Sequence, residues 1–123
     1  MARVIMRIDD REVRRAQRRL LRVPDQIRDA CKTAVRESSE AIRAQVRRTV
    51  GVFRGRLRER IRARRVGDLT SDVGWFDRDT YYAKFVEFGT SKIRANPVLT
   101  RAGLEEEARF PRRVRDHIRR AIE

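Results

Sequence analysis

The sequence predicts an α+β fold in which a long central helix and C-terminal helices pack on a small, mainly antiparallel β-sheet. Apolar positions recur at steps of three and four residues over residues 24–49, for about seven turns. Short β-branched or alternating segments at residues 3–8 and 71–76 predict strands, and a second helical stripe begins near residue 97. With 123 residues, the chain fits a single domain over 1–123.

The first strand is expected at residues 3–8, with Val4, Met6 and Ile8 on one face. Asp9 and Asp10 then offer an N-cap for a short amphipathic helix over residues 10–22. That helix should end near residue 23, because the following Pro24 disfavours helical backbone in its predecessor.

The long second helix starts at Pro24, a residue that suits a first helical turn. Asp25 and Asp29 lie near the positive end of its dipole. Its length exceeds what one small core needs, so we expect part of it to pack on another subunit. The stripe predicted to be buried consists of Ile27, Cys31, Ala34, Val35, Ser38, Ile42, Gln45, Val46 and Thr49.

An arginine-rich segment follows, with arginine at every even position from 54 to 64. As a strand it would have one face made entirely of arginine, whereas Phe53, Leu57 and Ile61 also have helical spacing. We favour a short helical turn and then a strand. The turn residues Gly67 and Asp68 would lead into the return strand of an antiparallel hairpin.

The C-terminal part is predicted to be helical. A short helix capped by Asp79 or Thr80 should run to Phe88 and end at Gly89. The last helical region begins at residues 96–97, and its stripe is expected to be broken or kinked at Pro111.

No constellation for catalysis is evident, so we expect no enzyme, cofactor or metal. The single histidine, His117, has no nucleophile beside it and reads as a surface residue. Glu105–Glu107 are consecutive, so they diverge around a helix as a solvated or interface patch. Cys31 reads as a small core residue and excludes an internal disulfide. Without an apolar run of about 18 residues or a signal sequence, we expect a soluble protein that is not conventionally secreted.

The charge is extreme. Lysine and arginine number 32 against 18 acidic residues, a formal net charge of +14. Residues 43–65 contain ten arginines and only one acidic residue, Glu59. DNA phosphates, acidic partner proteins or solvent could surround this charge, and a nonspecific nucleic-acid-binding module is the alternative function. The candidate contacts for DNA or an acidic partner are Arg54, Arg56, Arg58, Arg60, Arg62 and Arg64.

Six of the eight aromatic residues lie within residues 75–88. On a helix, Tyr81, Phe85 and Phe88 would share one side, with Tyr82 beside it. This cluster suits either the core under the sheet or a subunit interface, where aromatic residues are enriched.

Residues 81–92, Tyr-Tyr-Ala-Lys-Phe-Val-Glu-Phe-Gly-Thr-Ser-Lys, and residues 95–102 around Asn-Pro-Val-Leu carry a recognisable signature. It resembles that of the tail-component family of long-tailed bacteriophages, which includes related proteins of prophages and gene transfer agents. The preceding order of elements is also similar, including the Gly55, Leu57 and Ile61 spacing. The motif residues are Tyr82, Phe85, Glu87, Phe88, Gly89, Thr90, Pro97 and Leu99.

The resemblance implies a tail-completion or head-tail joining protein, assembled in the host bacterial cytoplasm and found in the neck or tail of the virion. Its implied partners are itself in a ring, expected to be a hexamer, the head connector or stopper, the tail-tube or tail-terminator proteins, and DNA in the lumen, but no membrane. By analogy, Glu87 would position the loop at Gly89 and Thr90 through a hydrogen bond or salt bridge with an arginine.

Overall fold

A computed structural model describes residues 4–9, 24–51 and 55–123 and has the predicted α+β fold. The predicted helix over residues 10–22 and the positions Phe53 and Arg54 lie outside the described residues. A 3-10 turn at Arg78–Thr80 precedes the short helix that begins at Ala83. The elements in chain order are β1 (Val4–Asp9), α1 (Asp25–Thr49), α2 (Gly55–Arg60), β2 (Arg62–Gly67), β3 (Thr70–Trp75), α3 (Ala83–Phe88) and α4 (Val98–Ile122).

The three described strands form an antiparallel sheet in the order β1-β3-β2. The inner face of the sheet contains Val4, Val73 and Trp75, which belong to the buried core, and the partly buried Ala63 packs against it. Since side chains alternate across a strand, the register places Arg7, Asp72, Gly74, Arg62 and Arg64 on the outer face.

Gly74 permits the close approach of β1 to β3. A Cβ at this position would lie 2.1 Å from the Val4 carbonyl oxygen and 2.7 Å from the Ile5 Cα. Any larger residue would therefore force the two strands apart.

Helix α1 packs against the sheet and along α4. The two helices are antiparallel, since Glu37 contacts His117 and Gln45 contacts Glu105. Of its predicted stripe, Ile27 and Gln45 are half-buried and Thr49 is exposed. Because α4 packs along the same helix within the chain, the length of α1 does not by itself require a second subunit, and the expected packing of part of α1 on another subunit stays a prediction. The buried members of the predicted stripe are Cys31, Ala34, Val35, Ser38, Ile42 and Val46.

The arginine-rich segment and the helix around Pro111 are two further regions whose structure was predicted from residue spacing. The arginine-rich segment is a short helix followed by a strand, as expected, with Leu57 and Ile61 both fully buried. The last helix, however, is not broken at Pro111 but continues to Ile122. Packing along α1 on both sides of the exposed proline holds the backbone helical despite the missing N–H group.

Candidate assembly surfaces

The carboxylate of Glu87 is the centre of the signature motif, and it is buried with only 2% exposure. It accepts hydrogen bonds from the backbone N–H groups of Leu99 at 3.0 Å and Thr100 at 2.8 Å, and from the Thr100 hydroxyl at 2.6 Å. These groups belong to the first turn of α4, whose N–H groups have no partner inside the helix. Glu87 thus caps α4 from the preceding helix.

This partner differs from the one expected by analogy. The prediction paired Glu87 with an arginine, but its hydrogen-bond donors in the structure are the α4 N-terminus and Thr100. Leu99 is 2% exposed, so it contributes to the core as well as to the cap. A loop separates residues 87 and 99 in the sequence, so no helical or strand periodicity could have revealed this hydrogen bond.

The loop between α3 and α4 is closed by the other motif residues. Gly89 has a φ of 76°, and a Cβ there would lie 2.8 Å from the Ala95 nitrogen. The Thr90 hydroxyl accepts a hydrogen bond from the Ile93 N–H at 2.9 Å, and the Asn96 N–H donates to the Val86 carbonyl at 2.7 Å. Pro97 occupies the N-cap position of α4. The motif therefore builds a fixed junction between two helices.

Three aromatic side chains project from this junction. Tyr81, Phe85 and Phe88 are 56%, 37% and 70% exposed, and their helical spacing places them on one side of the segment. We call these three residues the aromatic patch. Tyr82, in contrast, is partly buried against the core, and Trp75 is fully inside it. The core reading of the aromatic cluster is thus confirmed for Trp75 and, in part, for Tyr82, whereas the subunit-interface reading stays a prediction for the aromatic patch.

Over its described residues 55–65, the arginine-rich segment does not present one continuous cationic face. Arg56 and Arg58 lie on α2, and Arg60 forms a salt bridge with Asp77 at 3.0 Å. Arg62 and Arg64 are exposed on the outer face of β2. Helical geometry separates the first arginines from the last two, so the regular spacing in sequence is not preserved in space.

A second polar junction, unforeseen from the sequence, joins α1 to the middle of α4. Glu106 is 3% exposed and accepts hydrogen bonds from Ser38 at 3.0 Å and from Arg113. The hydrogen bond with Glu106 raises the pKa of Arg113. Glu37 lies 2.8 Å from His117 Nε2, whose side chain is only 13% exposed. The expectation that Glu106 belongs to a solvated patch is therefore wrong, and His117, expected at the surface, is partly buried beside Glu37, because α1 covers this side of α4.

Within the described ranges, no group of three or more histidine, cysteine or acidic side chains converges as a metal site would require. No helix in these ranges combines the length and apolar character needed to cross a bilayer. Cys31 is fully buried. The two helix junctions, the aromatic patch and the outer sheet face are thus the features on which a function can be built.

Comparison with known families gives one match. The family model described as "Bacteriophage HK97-gp10, putative tail-component" matches residues 14–89, which is more than half of the chain. Comparisons with curated proteins and with solved structures found no match. The matched range contains the whole of α1 and the sheet hairpin, and it ends at Gly89 of the signature motif.

Proposed function

Because this chain belongs to the HK97 gp10-like family of bacteriophage tail components, we propose that it forms a homo-oligomeric ring, a hexamer, that joins the tail to the head connector. Family membership identifies a virion-associated structural component, a class that is typically non-enzymatic. We further propose that the ring lies at the neck, with tail-tube or tail-terminator proteins on one side and the connector or stopper on the other. DNA would pass through the lumen of the ring.

The observation that carries the proposal is the aromatic patch. A Phe88 side chain that is 70% exposed leaves apolar surface in water, at a cost of about 25 cal/mol for each Å². Aromatic residues are enriched at the centres of protein interfaces, and contiguous exposed apolar surface is typical of a binding site. The patch adjoins the junction fixed by Glu87 and Gly89, so it is presented on rigid backbone. A neighbouring subunit that covers the aromatic patch would gain binding free energy from the buried apolar surface. Little conformational entropy would be lost, because the backbone that carries the patch is already held in place.

Assembly into a ring would account for the exposed aromatic patch on a chain of this size. In a closed ring with cyclic symmetry, each subunit uses one patch to contact a different surface on its neighbour, so every copy is covered once. A net charge of +14 on each copy opposes this closure, and acidic neighbouring proteins or DNA must offset it.

Deletion of the gene from a strain that produces the particle tests the proposed place at the neck. Electron microscopy of the lysate should show DNA-filled heads and separate, completed tails, and a plasmid copy of the gene should restore joined particles. A plasmid copy carrying Phe88→Ser should restore far fewer. Joined particles in normal number after the deletion would contradict the proposal, and would be expected of a free nucleic-acid-binding module.

The oligomeric state is tested on the purified protein. Native mass spectrometry should detect hexamers of the wild-type chain, alone or with the purified connector protein, and Phe88→Ser should dissociate them. Val66→Ser is the matched control, because Val66 is another exposed apolar side chain, 48% exposed and located on the hairpin. Equal dissociation by both substitutions would remove the aromatic patch from the interface.

A further inference from the structure

We propose that the outer face of the sheet, at Arg62 and Arg64, binds the phosphate backbone of DNA without sequence preference. The inference rests on the proposed function, since it identifies the surface that DNA would meet on its way through the ring. It also separates these two arginines from Arg60, which forms a salt bridge with Asp77.

The charge balance on this face singles out Arg62 and Arg64. The register places Asp72 of β3 between Arg7 of β1 and Arg64 of β2. Asp72 is 4% exposed and accepts two hydrogen bonds from the Arg7 guanidinium, at 2.8 Å and 3.2 Å. The one carboxylate on the outer face of β3 is therefore already matched by Arg7. Within the described chain, neither Arg62 nor Arg64 forms a salt bridge.

Both guanidinium groups are held in place by neutral partners. Arg62 Nη1 donates to the Ile61 carbonyl at 3.1 Å and to the Glu59 carbonyl near the end of α2. The guanidinium carbon of Arg64 lies 4.4 Å above the centre of the Phe76 ring. These contacts restrict the side chains but leave the positive charges unneutralised. An anion that arrives here meets donors that are already oriented, so less side-chain entropy is lost on binding.

The geometry and composition of this face favour a phosphate backbone over an acidic protein. Arg62 and Arg64 are two residues apart on one strand, so about 6.6 Å of backbone separates them and each can contact its own phosphate. A protein interface would also need an apolar centre. On the outer face, Ile5 lies opposite Gly74 and is half-buried, and among the large apolar side chains described on the sheet only Val66 is strongly exposed. The aromatic patch on α3 has the composition of a protein interface, whereas the outer sheet face has that of a phosphate-binding surface.

The test measures binding of a fluorescent 20-base-pair duplex of random sequence by anisotropy, over a range of salt concentrations. Each phosphate contact adds about 0.9 to the steepness of log K against log salt. Arg62→Ala with Arg64→Ala should therefore reduce that slope by about 1.8 and weaken binding about tenfold at low salt. Arg119→Ala with Arg120→Ala is the matched control: it removes the same charge from exposed positions at the end of α4 and should leave the slope unchanged.

Three outcomes would overturn the proposal. The control pair could reduce the slope as much as the sheet pair, which would assign binding to net charge alone. The sheet pair could bind DNA like the wild type but lose binding to poly-glutamate, which would assign the face to an acidic protein. Binding could also require one particular sequence.

A second variant guards against misfolding. Arg62→Gln with Arg64→Gln keeps the aliphatic stems and should give the same change of slope, with an unchanged urea midpoint of unfolding. A negative result in the DNA-binding assay would not contradict the proposed ring, because the ring is tested separately by the number of joined particles and by the detection of hexamers. Failure of the ring would be seen in those two measurements while DNA binding by the isolated chain persisted.

Discussion

Replacement of Glu87 by glutamine tests the reading of the signature motif as a helix junction. The amide has one oxygen in place of two, so its NH₂ group would face the N–H of either Leu99 or Thr100, from which it cannot accept a hydrogen bond. At least one backbone N–H then loses its acceptor, at a cost of about 1–3 kcal/mol. Loss of the negative charge at the N-terminus of α4 adds about 0.3–1 kcal/mol. We therefore expect Glu87→Gln to lower the free energy of unfolding by about 1–4 kcal/mol.

The measurement is urea unfolding at a protein concentration low enough to keep the chain monomeric. The fluorescence of Trp75 reports it, since this single tryptophan is 2% exposed and donates to the Leu57 carbonyl at 2.8 Å. Glu107→Gln is the control: it removes the same charge from an exposed position on α4 and should change stability by less than about 0.5 kcal/mol. Equal stability of Glu87→Gln and Glu107→Gln would refute the capping role.

Two further predictions concern the sheet and its hairpin. Gly74→Ala should destabilise the protein by at least about 2 kcal/mol, because the added Cβ would collide with the Val4 carbonyl. Gly67→Ala is the control: a Cβ at this position meets open space and should cost less than about 1 kcal/mol. Thermal unfolding compares the stabilities of the two variants. The hydrogen bond from Arg65 lowers the pKa of Asp68 below its ordinary 3.8. The stabilisation from the Asp68 carboxylate is therefore fully present above pH 3.8 and is lost as the pH falls through the lowered pKa. Asp68→Asn should therefore lose less stability than the wild type between about pH 6 and pH 3, and parallel curves for the two proteins would contradict this.

The secondary structure was largely predictable because it depends on local periodicity. The bounds of α1 follow from its stripe and from Pro24, and observed Asp25–Thr49 agrees with them. The end of α3 at Gly89 likewise follows from the need for a positive φ. The exception is Pro111, where a local rule predicted an interruption and packing against α1 maintained the helix.

The candidate site was predictable as a set of residues but not as an arrangement. The motif grouped Glu87, Gly89 and Thr90, yet the hydrogen-bond donors to Glu87 come from the far side of a loop. Glu106 is one of three consecutive glutamates, and no property of the sequence distinguishes it from its neighbours. Its burial follows only from the way in which α4 lies against α1.

By itself, the amino-acid sequence determined the kinds of elements, the excess of positive charge and the family, because these depend on residue spacing, composition and a short motif. Only the tertiary structure decided which arginines keep an unneutralised charge and which aromatic side chains remain exposed. Arg60 and Arg62 are two residues apart, but one lies against Asp77 and the other does not. The physical reason is that neutralisation and burial are set by contacts between residues far apart in the chain, and such contacts leave no periodic trace in the sequence.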